Sequence, residues 1–257
     1  MKHDITAFWH KESFDRFLLE RLPQLLADRL PLVGYTIEVV EPLTRCINVT
    51  VTSLPGDISI TFTNIPCPDE QGIFEVDGHK RVVVPMASQD NLAFADILCV
   101  GEQLYDYIAA RLGDAPSDLP WDESLARAWF PLDAWIHEFL SSHAQVLEQT
   151  NWLATHQHLR RIFVKERENL FTPGHFGRVC PFETPEGPNI GRYLCVAVGA
   201  AIREGKLVIV DDEPEAGLGL SATMIPFLEH DEPNKLLMGT NMMRQWLVPP
   251  DHEPALV

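Results

Sequence analysis

Apolar positions recur every three or four residues from 13 to 30 (Phe14, Phe17, Leu18, Leu22, Leu25 and Leu26), the spacing of one buried helix face. Ser13 stands where an N-cap is expected, and Pro23 predicts a break or kink. The period then falls to two. Ile47, Val49 and Val51, then Ile58, Ile60 and Phe62, predict two half-buried strands, joined by a turn at Leu54-Pro55-Gly56-Asp57. In FEVDGHKRVVV, residues 74–84, Asp77-Gly78 separates two apolar-rich runs. Both central positions of a type I′ turn need positive φ, and Asp-Gly is a favoured pair, so a hairpin is predicted. A long helix is predicted over 91–112, stopped by Gly113.

The second half is less regular. Residues 113–121 (GDAPSDLPW) read as a linker or surface loop. Helical spacing returns over 122–147 with a break near Pro131, and 161–179 mixes a short strand-like run with turn residues. CPFETPEGPNIG, residues 180–191, holds three prolines and two glycines in twelve positions. That composition excludes a regular helix or central strand and predicts a shaped loop. Residues 193–201 and 206–210 are apolar, and the tail 248–257 carries three prolines, a loosely held composition.

Composition narrows the class. With 46% hydrophobic and 22% charged residues over 257 positions, the chain has the make-up of a globular protein of one large or two modest domains. The 37 acidic against 20 basic residues give −17, which argues against wrapping nucleic acid by bulk charge. Charge is uneven, however. Between 151 and 180, five cations (Arg160, Arg161, Lys165, Arg167 and Arg178) face two anions, Glu166 and Glu168. The strip is either a basic face that meets phosphate or an ion-paired one, and charge alone favours the second. No apolar run reaches the ~20 residues of a membrane helix, and the N-terminus has no apolar core of a signal peptide. The five cysteines, widely spaced and without a CxxC pair, are expected as reduced, mostly buried thiols of a cytoplasmic protein.

Catalytic patterns are weak. Asp211-Asp212-Glu213 and Glu229-His230-Asp231-Glu232 are the nearest acidic clusters, and the first reads as a solvated turn. His156 and His158 lie on different helix faces with no cysteine pair beside them, which disfavours zinc. Glu183 and Glu186 form an acid/base pair only if their separation suits one.

Five stretches, in order along the chain, resemble the β subunit of bacterial multisubunit RNA polymerase. They are SFDRFLLERLPQLL (13–26), GIFEVDGHKRVVV (72–84), SSHAQVLEQTNWLATHQHLRRI (141–162), GHFGRVCPFETPEGPNIG (174–191) and MIPFLEHDEPNKLLMGTNMMRQ (224–245). The third is similar to the rifamycin-pocket segment, the fourth to the fork signature and the fifth to the start of the hybrid-binding region. The last three are long and specific. Similarity is low over 27–66 and 85–130. The family subunit is several times longer, so the chain is expected to be a compact protrusion-plus-fork abridgement: a protrusion-like domain over 1–121, then a fork-like region over 122–257 with the start of a hybrid-binding-like segment.

The resemblance implies positional roles rather than catalysis. In the family, Mg²⁺ is held by an aspartate triad of the β′ subunit, so no cofactor is expected here except through a β′-like partner, and the chain is not expected to polymerise nucleotides alone. Carried over, the nucleic-acid-contacting candidates are Gln145, Glu148, His158, Arg161, Pro185, Glu186, Asn189, Lys235, Arg244 and Gln245. The amides suit sugar or base edges, and Arg161 and Arg244 suit two-pronged phosphate contact. Glu148 and Glu232 stand where the family has Asp, Lys235 where it has Arg, Leu159 where it has a cation, and Phe163 where it has a small polar residue. Lysine cannot make the planar contact of arginine. The same polar residues have a bland alternative, which is to satisfy buried backbone groups.

The expected fold class is α+β, a protrusion-like mixed sheet with helices plus a smaller irregular fork-like lobe. The expected function is that of a polymerase β-like part or partner in transcription, touching other polymerase subunits such as a β′-like chain, or a DNA/RNA hybrid, with no membrane contact. The alternative is an acidic interaction module or decoy that binds polymerase without touching nucleic acid.

Overall fold

A computed structural model describes residues 5–52, 56–113, 122–165 and 172–247. The fold is α+β: seven α-helices and several small sheets among the described residues. It divides into two compact units that interleave along the chain.

One unit comprises His10–Val83 and Val100–Val146. Its N-terminal helical run starts at Trp9, four residues before Ser13, and continues through Pro23 as Trp9–Arg16, a π-turn Phe17–Arg21, and Leu22–Arg29. The expected break is absent because the wider turn lies just before the proline, which occupies the first turn of the next segment, where a missing N–H costs little. Ser13 is therefore no N-cap. It is buried, donates to Glu102 Oε2 at 2.7 Å and accepts from Gly101 N at 2.9 Å. These bonds tie the run to helix Val100–Ala109. That helix starts nine residues later than its apolar spacing suggests.

The alternating segments form an antiparallel sheet, Leu32–Glu41, Thr44–Val51 and Ile58–Pro66. Ile47 faces Phe62, Val49 faces Ile60 and Val51 faces Ile58, all six on the buried face or its margin. Leu54 and Pro55 of the expected turn lie outside the described residues. The hairpin is as predicted. Phe74–Val76 pairs with His79–Val82, with Asp77 at φ 54° and Gly78 at φ 71°. Gln145–Val146 adds a third strand, Gln145 opposite Val82. Helices Glu123–Trp129 and Leu132–His143 flank the break at Pro131, and Asp122 caps the first by accepting from Leu125 N. Arg81 donates to the carbonyls of Ser141 and Ala144, placing a cation at the C-terminal end of the second helix.

The core of this unit joins Phe14, Phe17, Leu22 and Leu26 to Ile47, Phe62, Phe74, Leu104, Phe130 and Phe139. Residues 122–146 thus share a core with the N-terminal helices. The expected boundary at 121 is not where compactness divides the chain, because the apolar faces of 123–143 are covered by the first sheet and helices.

The other unit comprises Met1–Trp9, Val84–Cys99 and Leu147–Val257. Residues 91–98 are not helical. A turn there leads into Ile97–Leu98, which pairs with Met86–Ala87. Met86–Ala87 runs parallel to Arg161–Val164, which pairs antiparallel with Tyr193–Cys195. Ala200–Arg203 and Lys206–Ile209 form a second hairpin, with Glu204 and Gly205 both at positive φ. Helix Trp152–Leu159 and helix Pro233–Met243 complete the unit. Residues 181–191 carry no helix or strand, as their prolines require. The linker at 114–121 and the tail at 248–257 lie outside the described residues. Among the described residues, no helix is long and apolar enough to cross a membrane.

Candidate nucleic-acid interface

The site is built on helix Trp152–Leu159. Asn151 caps it, accepting from Ala154 N at 2.8 Å, and donates from Nδ2 to the carbonyls of Met243 and Trp246, both at 2.9 Å. One buried amide thereby joins the start of one helix to the end of another. His158, on the inner face and only 2% exposed, accepts from Glu148 N at Nδ1, 3.1 Å away. Thr155 Oγ1 donates to Glu148 O at 2.8 Å. The loop carrying Glu148 is therefore clasped by the helix that follows it.

The Glu148 carboxylate lies between two guanidiniums. Arg161 Nη2 donates at 3.0 Å, and Arg244 Nη1 lies 3.6 Å from the other oxygen. Burial pushes the Glu148 carboxyl up, but Arg161, His158 and Arg244 outweigh it and hold it below the usual carboxylate range. Arg244 is pulled down from its ordinary value by burial and by Arg161, opposed by Glu148 and Glu183. Because Glu148 has a depressed folded value, its stabilising effect is full above the unfolded value of roughly 4.3 and is lost as pH falls through the folded one. A carbon-detected side-chain titration is expected to place Glu148 below that value. A midpoint at or above it would contradict the clasp.

The proline-rich loop is pinned from beneath. Glu183 is buried, and its Oε1 accepts from the backbone N–H groups of Ser221 and Ala222. Thr184 Oγ1 accepts from Gly191 N at 2.7 Å, closing the loop. Thr240 Oγ1 and Asn241 Nδ2 of helix Pro233–Met243 donate to Phe182 O and Thr184 O, both at 3.2 Å. Asn241 also accepts from Arg244. Arg161, Pro185 and Arg244 line one crevice with Gln157 and Glu183, of about 20 Å³. That is room for a water and too little for a phosphate.

Of the ten candidates, the structure brings Glu148, His158, Arg161 and Arg244 into direct contact and sets Pro185 beside them. Glu186 and Asn189 lie exposed on the loop tip, where Asn189 O accepts from Arg192 N. Gln245 is exposed, two residues past helix Pro233–Met243, with its backbone N–H donating to Met242 O. Lys235 is exposed, 3.6 Å from Glu232. Gln145 belongs to the other unit. Of the two glutamates Glu183 and Glu186, the first is buried with one oxygen held by two amides, and the second is exposed.

The basic strip is not an open face. Arg160 is 1% exposed and donates to the carbonyls of Val196, Ala197, Ala200 and Ile5. Arg178 donates to Leu207 O and Gly174 O. Lys165 is exposed, and Arg167 lies outside the described residues. Asn151, Arg160, Glu183, Thr240 and Asn241 were not foreseen as builders of the site. Only Asn151 leaves a local signal, a cap residue directly before the apolar helix.

Residues 145–202 match the family model RNA polymerase Rpb2, domain 3. Over these residues the chain is similar to the RNA polymerase β subunit. The match covers most of the third resemblance stretch and all of the fourth, and so Gln145, Glu148, His158, Arg161, Pro185, Glu186 and Asn189. It supports a role in transcription. Among the described residues, no group of three or more His, Cys, Asp or Glu is placed to hold a metal ion.

Proposed function

We propose that the chain acts in DNA-templated transcription as a non-catalytic, cytoplasmic RNA polymerase β-like part that docks on other polymerase subunits, a β′-like chain first among them. The observation that carries this reading is the Rpb2 domain 3 match, which falls on Glu148 and Arg161 of the clasp and on the proline-rich loop. The electrostatics favour a protein partner over a hybrid. The formal charge of −17 repels phosphate, and Glu148 already pairs with both of the arginines best shaped to hold one, offsetting part of their charge. Any Mg²⁺ would be contributed by the partner.

The second reading, contact with a DNA/RNA hybrid, is favoured by the same two guanidiniums, which become available if Glu148 is displaced. Fluorescence anisotropy with a labelled RNA–DNA hybrid, alongside sedimentation with purified core polymerase, separates the two. The wild-type chain is expected to co-sediment with polymerase and to bind the isolated hybrid weakly. Glu148→Gln is expected to raise hybrid affinity about fivefold at low salt and to steepen its salt dependence. Tight hybrid binding by the wild-type chain without polymerase binding would overturn the first reading. An unchanged affinity in Glu148→Gln would remove the second.

A further inference from the structure

Away from the arginine clasp, the segments 172–181 and 209–218 enclose an open cavity of about 310 Å³. Its walls are mostly apolar, formed by Val179, Ile209 and Leu218, with Phe176 at the mouth. Phe176 is 87% exposed, and Val210 beside Ile209 is also exposed. Gly177 stands at φ +70°, and a Cβ there would lie 2.9 Å from Ile209 Cδ1. A side chain at 177 would be strained and would crowd the hairpin, so the glycine keeps the cavity open.

Polarity is confined to one rim and has one sign. Asp211, Asp212 and Glu213 follow one another there, with Glu213 N donating to Asp211 Oδ1 at 3.0 Å. Among the described residues, no lysine or arginine lines the cavity. His175, at its base, accepts from Thr172 N through Nδ1, and burial holds its pKa down. Three carboxylates beside an apolar hollow repel phosphate and reward a cation carried next to an apolar group.

We propose that this groove is a docking site for a protein partner, taking a polypeptide segment in which a lysine or arginine adjoins a large apolar side chain. The apolar side chain fills the hollow against Phe176 and Ile209, and the cation meets Asp212 and Glu213 at the rim. Nucleic acid is the wrong occupant because its phosphates face the carboxylates. The site shares no residue with the Glu148 clasp, so it stands whether or not the polymerase reading does.

The test is an amide-resolved NMR titration of the full chain with acetyl-Lys-Trp-Lys-amide and, separately, acetyl-Glu-Trp-Glu-amide. The lysine peptide is expected to give saturable shifts confined to 172–181 and 209–218, weakened by salt, with at least tenfold lower affinity for the glutamate peptide. The double variant Asp212→Asn, Glu213→Gln is expected to weaken lysine-peptide binding about 3- to 10-fold. Phe176→Ser, at an exposed position that the fold does not need, is expected to abolish saturation. Absence of saturable shifts in these segments, equal affinity for both peptides, or wild-type binding by either variant overturns the proposal.

Discussion

Replacing Arg160 with methionine is expected to abolish the cooperative unfolding transition or to lower stability by about 4 kcal/mol or more. The guanidinium is almost fully buried and reaches four carbonyl groups, on Val196, Ala197, Ala200 and Ile5, at 2.5–3.3 Å. It also lies 5.3 Å from the centre of the Trp9 ring. Ala197 O keeps the N–H of Ala200 as a second donor, but each buried carbonyl left without a donor costs roughly 1–3 kcal/mol, and domains of this kind are stable by only about 5–15 kcal/mol. Methionine fills much of the volume but donates nothing. Arg160→Lys keeps the charge but not the planar fork, and is expected to fall between the two. Urea denaturation followed by circular dichroism measures both variants. A methionine variant within about 0.5 kcal/mol of wild type would show that the carbonyls find other partners.

The second large effect is expected at Glu183. Its carboxylate joins the proline-rich loop to the N–H groups of Ser221 and Ala222, both themselves buried. It also supports the charge of Arg244. Glu183→Ala leaves two buried donors unpaired and removes one of the two carboxylates nearest Arg244, so a loss of about 2–4 kcal/mol is expected. Glu183→Gln keeps an acceptor oxygen and is expected to cost less. The functional consequence should follow stability. In Glu183→Ala, amide exchange is expected to quicken at Gly191 and in helix Pro233–Met243, because Thr184 closes the loop and Thr240 and Asn241 hold its carbonyls. Wild-type exchange in both would contradict the role of Glu183 as the loop's anchor.

Local patterns carried much of the fold. The Asp77-Gly78 turn, the alternation at 47–62 and the break at Pro131 each depend on neighbours in sequence, and each appears where it was expected. The errors arise where distant residues decide. Residues 91–98 have helical spacing, but Met86–Ala87 and Gly205 supply backbone partners, and the segment becomes a turn and a short strand. Ser13 has the chemistry of a cap, yet Gly101 and Glu102 claim it. Arg160 counted as surface charge because burial of a cation depends on carbonyls up to 155 positions away. The site was legible as a set of residue types through resemblance. Its central fact, that Glu148 occupies the space between Arg161 and Arg244, depends on the packing of three separate segments.

The proposed function rests on association with the transcription machinery. Its most direct test is affinity purification of the tagged full-length chain from its native source, with the co-purifying polypeptides identified by mass spectrometry and their stoichiometry measured. A β′-like RNA polymerase subunit is expected in near-equal amount, retained after nuclease treatment. A chain that elutes free of every polymerase subunit, or one whose polymerase is lost when nucleic acid is digested, would contradict it.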